Sequence, residues 1–176
     1  IMTYSVPLYS TLNMEGVDLS TAFTLSTSTP EYPAQPFIQG ATVLGTLDGK
    51  WVYATAAAVQ ATGDVCILTK TFQAIGLLSS NAAAHYGEPL GVAMTATTTG
   101  QFAWYQTNGA SPGISVLAST APNVILYTTA TAGRLGSALT TGASSTIQGI
   151  VTTTTSASTA GTYPGILNTP QIFTAN

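Results

Sequence analysis

Ala41-Thr42-Val43-Leu44-Gly45-Thr46-Leu47-Asp48-Gly49-Lys50-Trp51-Val52-Tyr53-Ala54 is the stretch whose reading decides the fold. Asp48-Gly49 lies between two apolar-rich runs, and such a pair marks a hairpin because the turn needs residues that accept positive φ. The flanking Val, Leu, Trp and Tyr belong to the types that fit a pleated, half-buried surface. A tight turn joining two strands is therefore predicted here.

The same grammar continues downstream. Thr62-Gly63-Asp64 turns into Val65-Cys66-Ile67-Leu68, and later runs follow at residues 90–94, 101–106, 114–117, 124–127, 147–151 and 171–173. Short, regularly spaced strands with turn residues between them predict a sandwich or a barrel. Two alanine clusters, 54–61 and 81–86, are each open to a turn or two of helix, to strand or to loop. The expectation is an all-β fold, a short-stranded β-barrel or sandwich over 41–176, preceded by an extended N-terminal arm over 1–40.

The arm reads differently from the rest. Prolines at 7, 30, 33 and 36 favour extended backbone. Tyr4, Leu8, Tyr9, Leu12, Phe23, Leu25, Tyr32 and Phe37 make it too apolar to be left in water. It is expected to lie on its own core or on a neighbouring subunit, which makes Tyr4, Tyr9, Phe23, Tyr32 and Phe37 interface candidates. Its first residues, 1–7, lack the basic segment of a secretion signal.

An internal repeat runs through the barrel region. Ile67-Leu68-Thr69 with Ala74-Ile75-Gly76 resembles Ile125-Leu126-Tyr127 with Ala132-Gly133, and Leu90-Gly91-Val92-Ala93 resembles Gln148-Gly149-Ile150-Val151. Leu68 to Leu126 and Gly91 to Gly149 share one spacing of 58 residues. Two related units, about 62–109 and 120–173, are expected to build complementary parts of one barrel.

Charge is scarce. Nine Asp, Glu, Lys and Arg residues make up 5% of 176, with a formal net charge of −3, against about 25% in ordinary soluble domains. Lys50, Lys70 and Arg134 are too few and too scattered to neutralise a phosphate backbone, which argues against direct nucleic-acid contact. No run approaches the ~20 apolar residues of a membrane-spanning helix. One cysteine, Cys66, makes no intrachain disulfide and reads as a small buried hydrophobe.

Catalytic chemistry finds little to work with. His85 is the only histidine, no Gly-x-Ser-x-Gly elbow occurs, and one His with one Cys cannot complete a zinc site. An enzyme would have to depend on His85. Asp48 and Asp64 each sit beside glycine in a turn, where Asp has a structural use. Glu15 and Asp18 match no calcium loop, and no phosphate-binding loop is present. No catalytic, metal or cofactor site is predicted. Alternation puts Phe102 and Trp104 on one face and Tyr105 on the other. These aromatics read as core, as a subunit interface through Trp104 and Tyr105, or as a sugar platform.

The stretch from Glu88 to Ile172 resembles the head decoration, or capsid cement, proteins of tailed bacteriophages. Gly91-Val92-Ala93 carries the resemblance with Gly100-Gln101-Phe102-Ala103-Trp104-Tyr105-Gln106-Thr107-Asn108-Gly109, Leu126-Tyr127-Thr128-Thr129-Ala130-Thr131-Ala132-Gly133 and Ile147-Gln148-Gly149-Ile150-Val151. It covers about half the chain and rests on order and spacing. The resemblance implies a small β-rich virion protein, usually a homotrimer. Such a protein is made in the host cytoplasm and placed on the outer surface of the capsid, where it clamps adjacent major capsid protein subunits. Interface cores are depleted of charge, which agrees with the composition. The alternative is a tail-fibre or cell-surface adhesion module binding glycans through Phe102, Trp104 and Tyr105.

Overall fold

The computed structural model describes residues 17–24, 37–45, 48–139 and 145–174. Among them the chain is nearly all β, with ten strands in one sheet and one short helix. The opening hairpin forms: β1 (Thr42–Leu44) runs antiparallel to β2 (Lys50–Ala56), with Leu44 opposite Lys50. Its connection spans residues 45–49 rather than a two-residue turn. Gly45 N–H donates to the Gly49 carbonyl at 2.8 Å, and Asp48 supplies the left-handed backbone at φ 57°.

The sheet closes on itself twice. In the first ring β2 pairs with the front half of β6 (Phe102–Val116), β6 with β5 (Leu90–Ala93), β5 with β3 (Val65–Leu68) and β3 with β4 (Gln73–Gly76). β4 then returns parallel to β2. In the second ring the back half of β6 pairs with β10 (Gly161–Phe173), β10 with β9 (Thr146–Thr152), β9 with β7 (Leu126–Thr128) and β7 with β8 (Leu135–Gly136). β8 returns parallel to β6. The same five-strand pairing therefore occurs twice, and β6 belongs to both rings. Asn108 marks the hand-over, opposite Lys50 on one side and Asn168 on the other. Both rings start one strand earlier than the expected units, at β2 and at the back half of β6.

Two sequence expectations change, and the open reading of the alanine clusters is decided. The runs at 101–106 and 114–117 are one 15-residue strand, because Gly109 to Gly113 continues the ladder against β10 through a bulge instead of turning. The run at 171–173 is the end of a 13-residue strand. The alanines after Ala54 extend β2 as far as Ala56, whereas α1 (Ser79–Ala82) and a 3-10 turn over Ala83–His85 account for the second cluster.

The core follows from strand alternation. Val52, Ala54, Cys66, Leu68, Ala74, Ala93, Ala103 and Tyr105 fill the first ring. These side chains are mostly small, which leaves room for the Tyr105 ring and the buried Gln60 side chain. Gln60 Nε2 donates to the Ala74 carbonyl at 2.7 Å, and the Tyr105 hydroxyl donates to Gln60 Oε1 at 2.6 Å. Larger aliphatics, including Ile114, Val116, Leu126, Leu135, Ile150 and Leu167, form a second cluster with Val65, Ile67, Leu90 and Val92 of the first ring. That shared cluster joins the two rings into one body. Fully burying each such side chain contributes about 1.5–3 kcal/mol.

Candidate functional site

On the outside of the first ring, the opposite alternation of β2 and β6 presents Trp51, Tyr53, Phe102 and Trp104 as one aromatic face. Residues from 17–24 and 37–43 cover it. Leu19 is buried there, and Val17, Phe23, Phe37, Ala41 and Val43 pack against it. Phe23 adds itself to the sheet edge: its N–H donates to the Phe102 carbonyl at 2.8 Å, and Phe102 N–H returns a bond of 2.7 Å. The rings are offset and tilted, with Phe37 edge-on to Trp104 at 5.0 Å and Tyr53 stacked on Phe102 at 5.8 Å. Such pairs contribute about 0.5–1.5 kcal/mol beyond their area. A short turn fixes the entry of this strap, since Asp18 accepts from the Ser20 and Thr21 hydroxyls and from Ser20 N–H. Those bonds, led by the Ser20 hydroxyl, hold the Asp18 carboxyl below its ordinary value.

The interface candidates are thus divided. Phe23 and Phe37 lie on the chain's own core. Trp104 and Tyr105 are both 0% exposed, so the expectation of a subunit contact through them is corrected: Trp104 lies beneath the strap and Tyr105 lies inside the ring. Tyr4, Tyr9 and Tyr32 lie outside the described residues. Burial pushes the Tyr53 phenol up to about 12 and raises the Tyr105 phenol further. Trp51 Nε1, Tyr53 Oη and Trp104 Nε1 are buried without a hydrogen-bond partner among the described residues.

The polar side chains singled out for chemistry stay apart. His85 Nδ1 sits 2.8 Å from Glu88 Oε2 in the loop before β5. Tyr86 Oη lies 3.4 Å from Ser145 Oγ. Cys66 is fully buried, and desolvation, with Asp64 nearby, raises its thiol well above the ordinary range. Among the described residues no three His, Cys, Asp or Glu side chains come together to hold a metal, and no helix is long and apolar enough to cross a membrane.

Sequence reasoning missed a groove of about 490 Å³ beside β7 and β8. Ser79, Ser119, Thr120, Thr128, Thr129 and Ser137 line it with hydroxyls, and no titratable side chain joins them. It can accept hydrogen-bonding groups but supplies no acid, base or activated nucleophile. Its signal in the sequence was only threonine richness, which is spread over the whole chain.

No family model, curated protein or solved structure matches this chain. The seven described charged residues, Asp18, Asp48, Lys50, Asp64, Lys70, Glu88 and Arg134, all lie in loops and turns or at the first residue of a strand. Ile38, Val59, Ile125 and Ile166 are more than half exposed, at 81%, 75%, 58% and 51%.

Proposed function

We propose that this chain is a virion structural protein: a homotrimeric decoration, or cement, protein seated on the outer surface of a phage capsid, where it clamps adjacent major capsid protein subunits. The observation that carries the reading is a surface nearly free of charge that still presents large aliphatic side chains. A surface of this kind is poorly suited to isolation in water and suited to contact, because interface cores lose charge and gain apolar area. The closed rings agree with a role outside a cell, since closure covers most of the strand edges that invite uncontrolled pairing and leaves only short ones.

The fold alters how the clamp would work. Residues 17–24 are occupied on their own barrel, so the gripping surface is assigned to the barrels, through side chains such as Val59, Ile125 and Ile166. Attachment at many equivalent lattice points would supply strength without a large single interface. The glycan reading loses its platform, because Phe102, Trp104 and Tyr105 are covered by the chain itself.

Cryo-electron microscopy of purified particles, together with sedimentation of the isolated chain, tests the proposal. Trimeric density on the outer shell face is expected. Particles whose outer surface lacks this chain would overturn it.

A further inference from the structure

The two rings differ at one equivalent place. In the first ring, β5 ends and Met94 N–H donates to the Trp104 carbonyl at 3.1 Å; just beyond, Phe23 fills the edge of β6 at Phe102, which faces Thr55 across the other edge. In the second ring, β9 ends and Thr153 N–H donates to the Pro164 carbonyl at 2.9 Å; just beyond, Thr162 faces Ser115. Thr162 therefore stands in the second ring where Phe102 stands in the first.

Its backbone groups have a definite direction. Ser115 N–H points away from β10, to the Gly63 carbonyl at 2.9 Å, so Ser115 and Thr162 form a non-hydrogen-bonded pair. In an antiparallel ladder, the N–H and C=O of Thr162 then face the opposite edge. Among the described residues nothing pairs with Thr162 there. Thr162 also lines a pocket of about 220 Å³ with Thr62, Gly63, Met94 and Gly113. No charged residue contributes to it, and Met94 packs against the strap cluster as well. This volume lies below the ~300 Å³ at which small-molecule sites begin. It suits one side chain carried on an extended backbone. Tyr53, against which Phe23 lays its ring, corresponds to Gly113, so the second ring offers space where the first offers an aromatic wall.

We propose that the β10 edge at Thr162 and its adjoining pocket take up an extended, uncharged segment of the shell subunit, as the first ring takes up residues 17–24. The identity of that partner rests on the decoration reading. The chemistry of the segment rests on the strap: one backbone bridge and one apolar side chain set into an uncharged pocket.

A capped synthetic peptide with the sequence of residues 19–24 is the probe, followed by amide NMR on the intact protein. Binding is expected to slow hydrogen exchange at the Thr162 amide and shift the Gly113 amide while leaving the Phe102 amide unchanged. Thr162→Pro, which removes the edge donor, and Thr62→Phe, which fills the pocket from an exposed loop, are each expected to weaken binding at least tenfold with far-UV circular dichroism retained. Displacement of the chain's own strap at Phe102, equal binding by both variants, or no binding would overturn the site. Peptide binding in a chain that fails to attach to shells would overturn the decoration reading and leave the edge site standing.

Discussion

Replacing Gln60 with Leu should cost about 3 kcal/mol of stability, because one side chain serves two groups sealed inside the first ring. Gln60 is 3% exposed; its Nε2 serves the Ala74 carbonyl at 2.7 Å and its Oε1 accepts from the Tyr105 hydroxyl at 2.6 Å. Leucine keeps most of the volume, so little cavity forms and the loss is chiefly polar. Leaving the buried Tyr105 hydroxyl unsatisfied costs about 1–3 kcal/mol, and the Ala74 carbonyl, which still accepts from Ala57 N–H at 2.9 Å, loses one of its two bonds at about 0.5–1.5 kcal/mol. Thr97 Oγ1, at 3.4 Å from Oε1, adds little to the sum. For a chain of this length about 3 kcal/mol lowers the melting temperature by roughly 6–12 °C. Urea unfolding followed by circular dichroism should show a lower midpoint at unchanged slope. Tyr105→Phe alone should cost about 1–2 kcal/mol, and the double variant should cost less than the sum, since both ends of one bond are then gone. A Gln60→Leu cost below about 1 kcal/mol, or strict additivity in the cycle, would refute the claim that these groups depend on each other.

Two further outcomes follow from the packing. Gly165→Ala places a methyl group on the Val151 carbonyl and on Ile114 Cδ1; overpacking against backbone should destabilise the second ring by about 2–3 kcal/mol, read by the same urea titration. Tyr53 should remain protonated until about pH 12 in the folded chain, against an ordinary value of 10.0. Its neutral form is favoured by folding, so its contribution is complete below about pH 10 and is lost as pH rises from there towards 12. Tyrosinate absorbance of the native protein, compared with a Tyr53→Phe variant, checks this, and a phenolate attributable to Tyr53 near pH 10 would contradict it.

Much of the local architecture was written along the chain. Asp48-Gly49 marked the first hairpin, alternation separated Trp104 from Tyr105, and Leu68–Leu126 and Gly91–Gly149 share one spacing in a chain whose five-strand pairing occurs twice. These signals are legible because they depend on neighbours a few residues apart, or on a period that a sequence can carry. The polar site is a different matter. Gln60 sits among alanines and glycines with nothing local to distinguish it, and its partners Ala74 and Tyr105 are 14 and 45 residues away.

By itself, then, the sequence determined a charge-poor, all-β chain with an apolar leading segment and a repeated core. The tertiary structure alone decided how that chain closes. The parallel returns of β4 to β2 and β8 to β6, and the passage of β6 through Gly109 to Gly113, depend on distant strands that supply hydrogen bonds where local residues favoured a turn. It also decided that Trp104 lies beneath Leu19 and Phe37 rather than on the surface. An exposed and a covered aromatic strand have the same period of two, and only the segment that comes back across the face tells them apart.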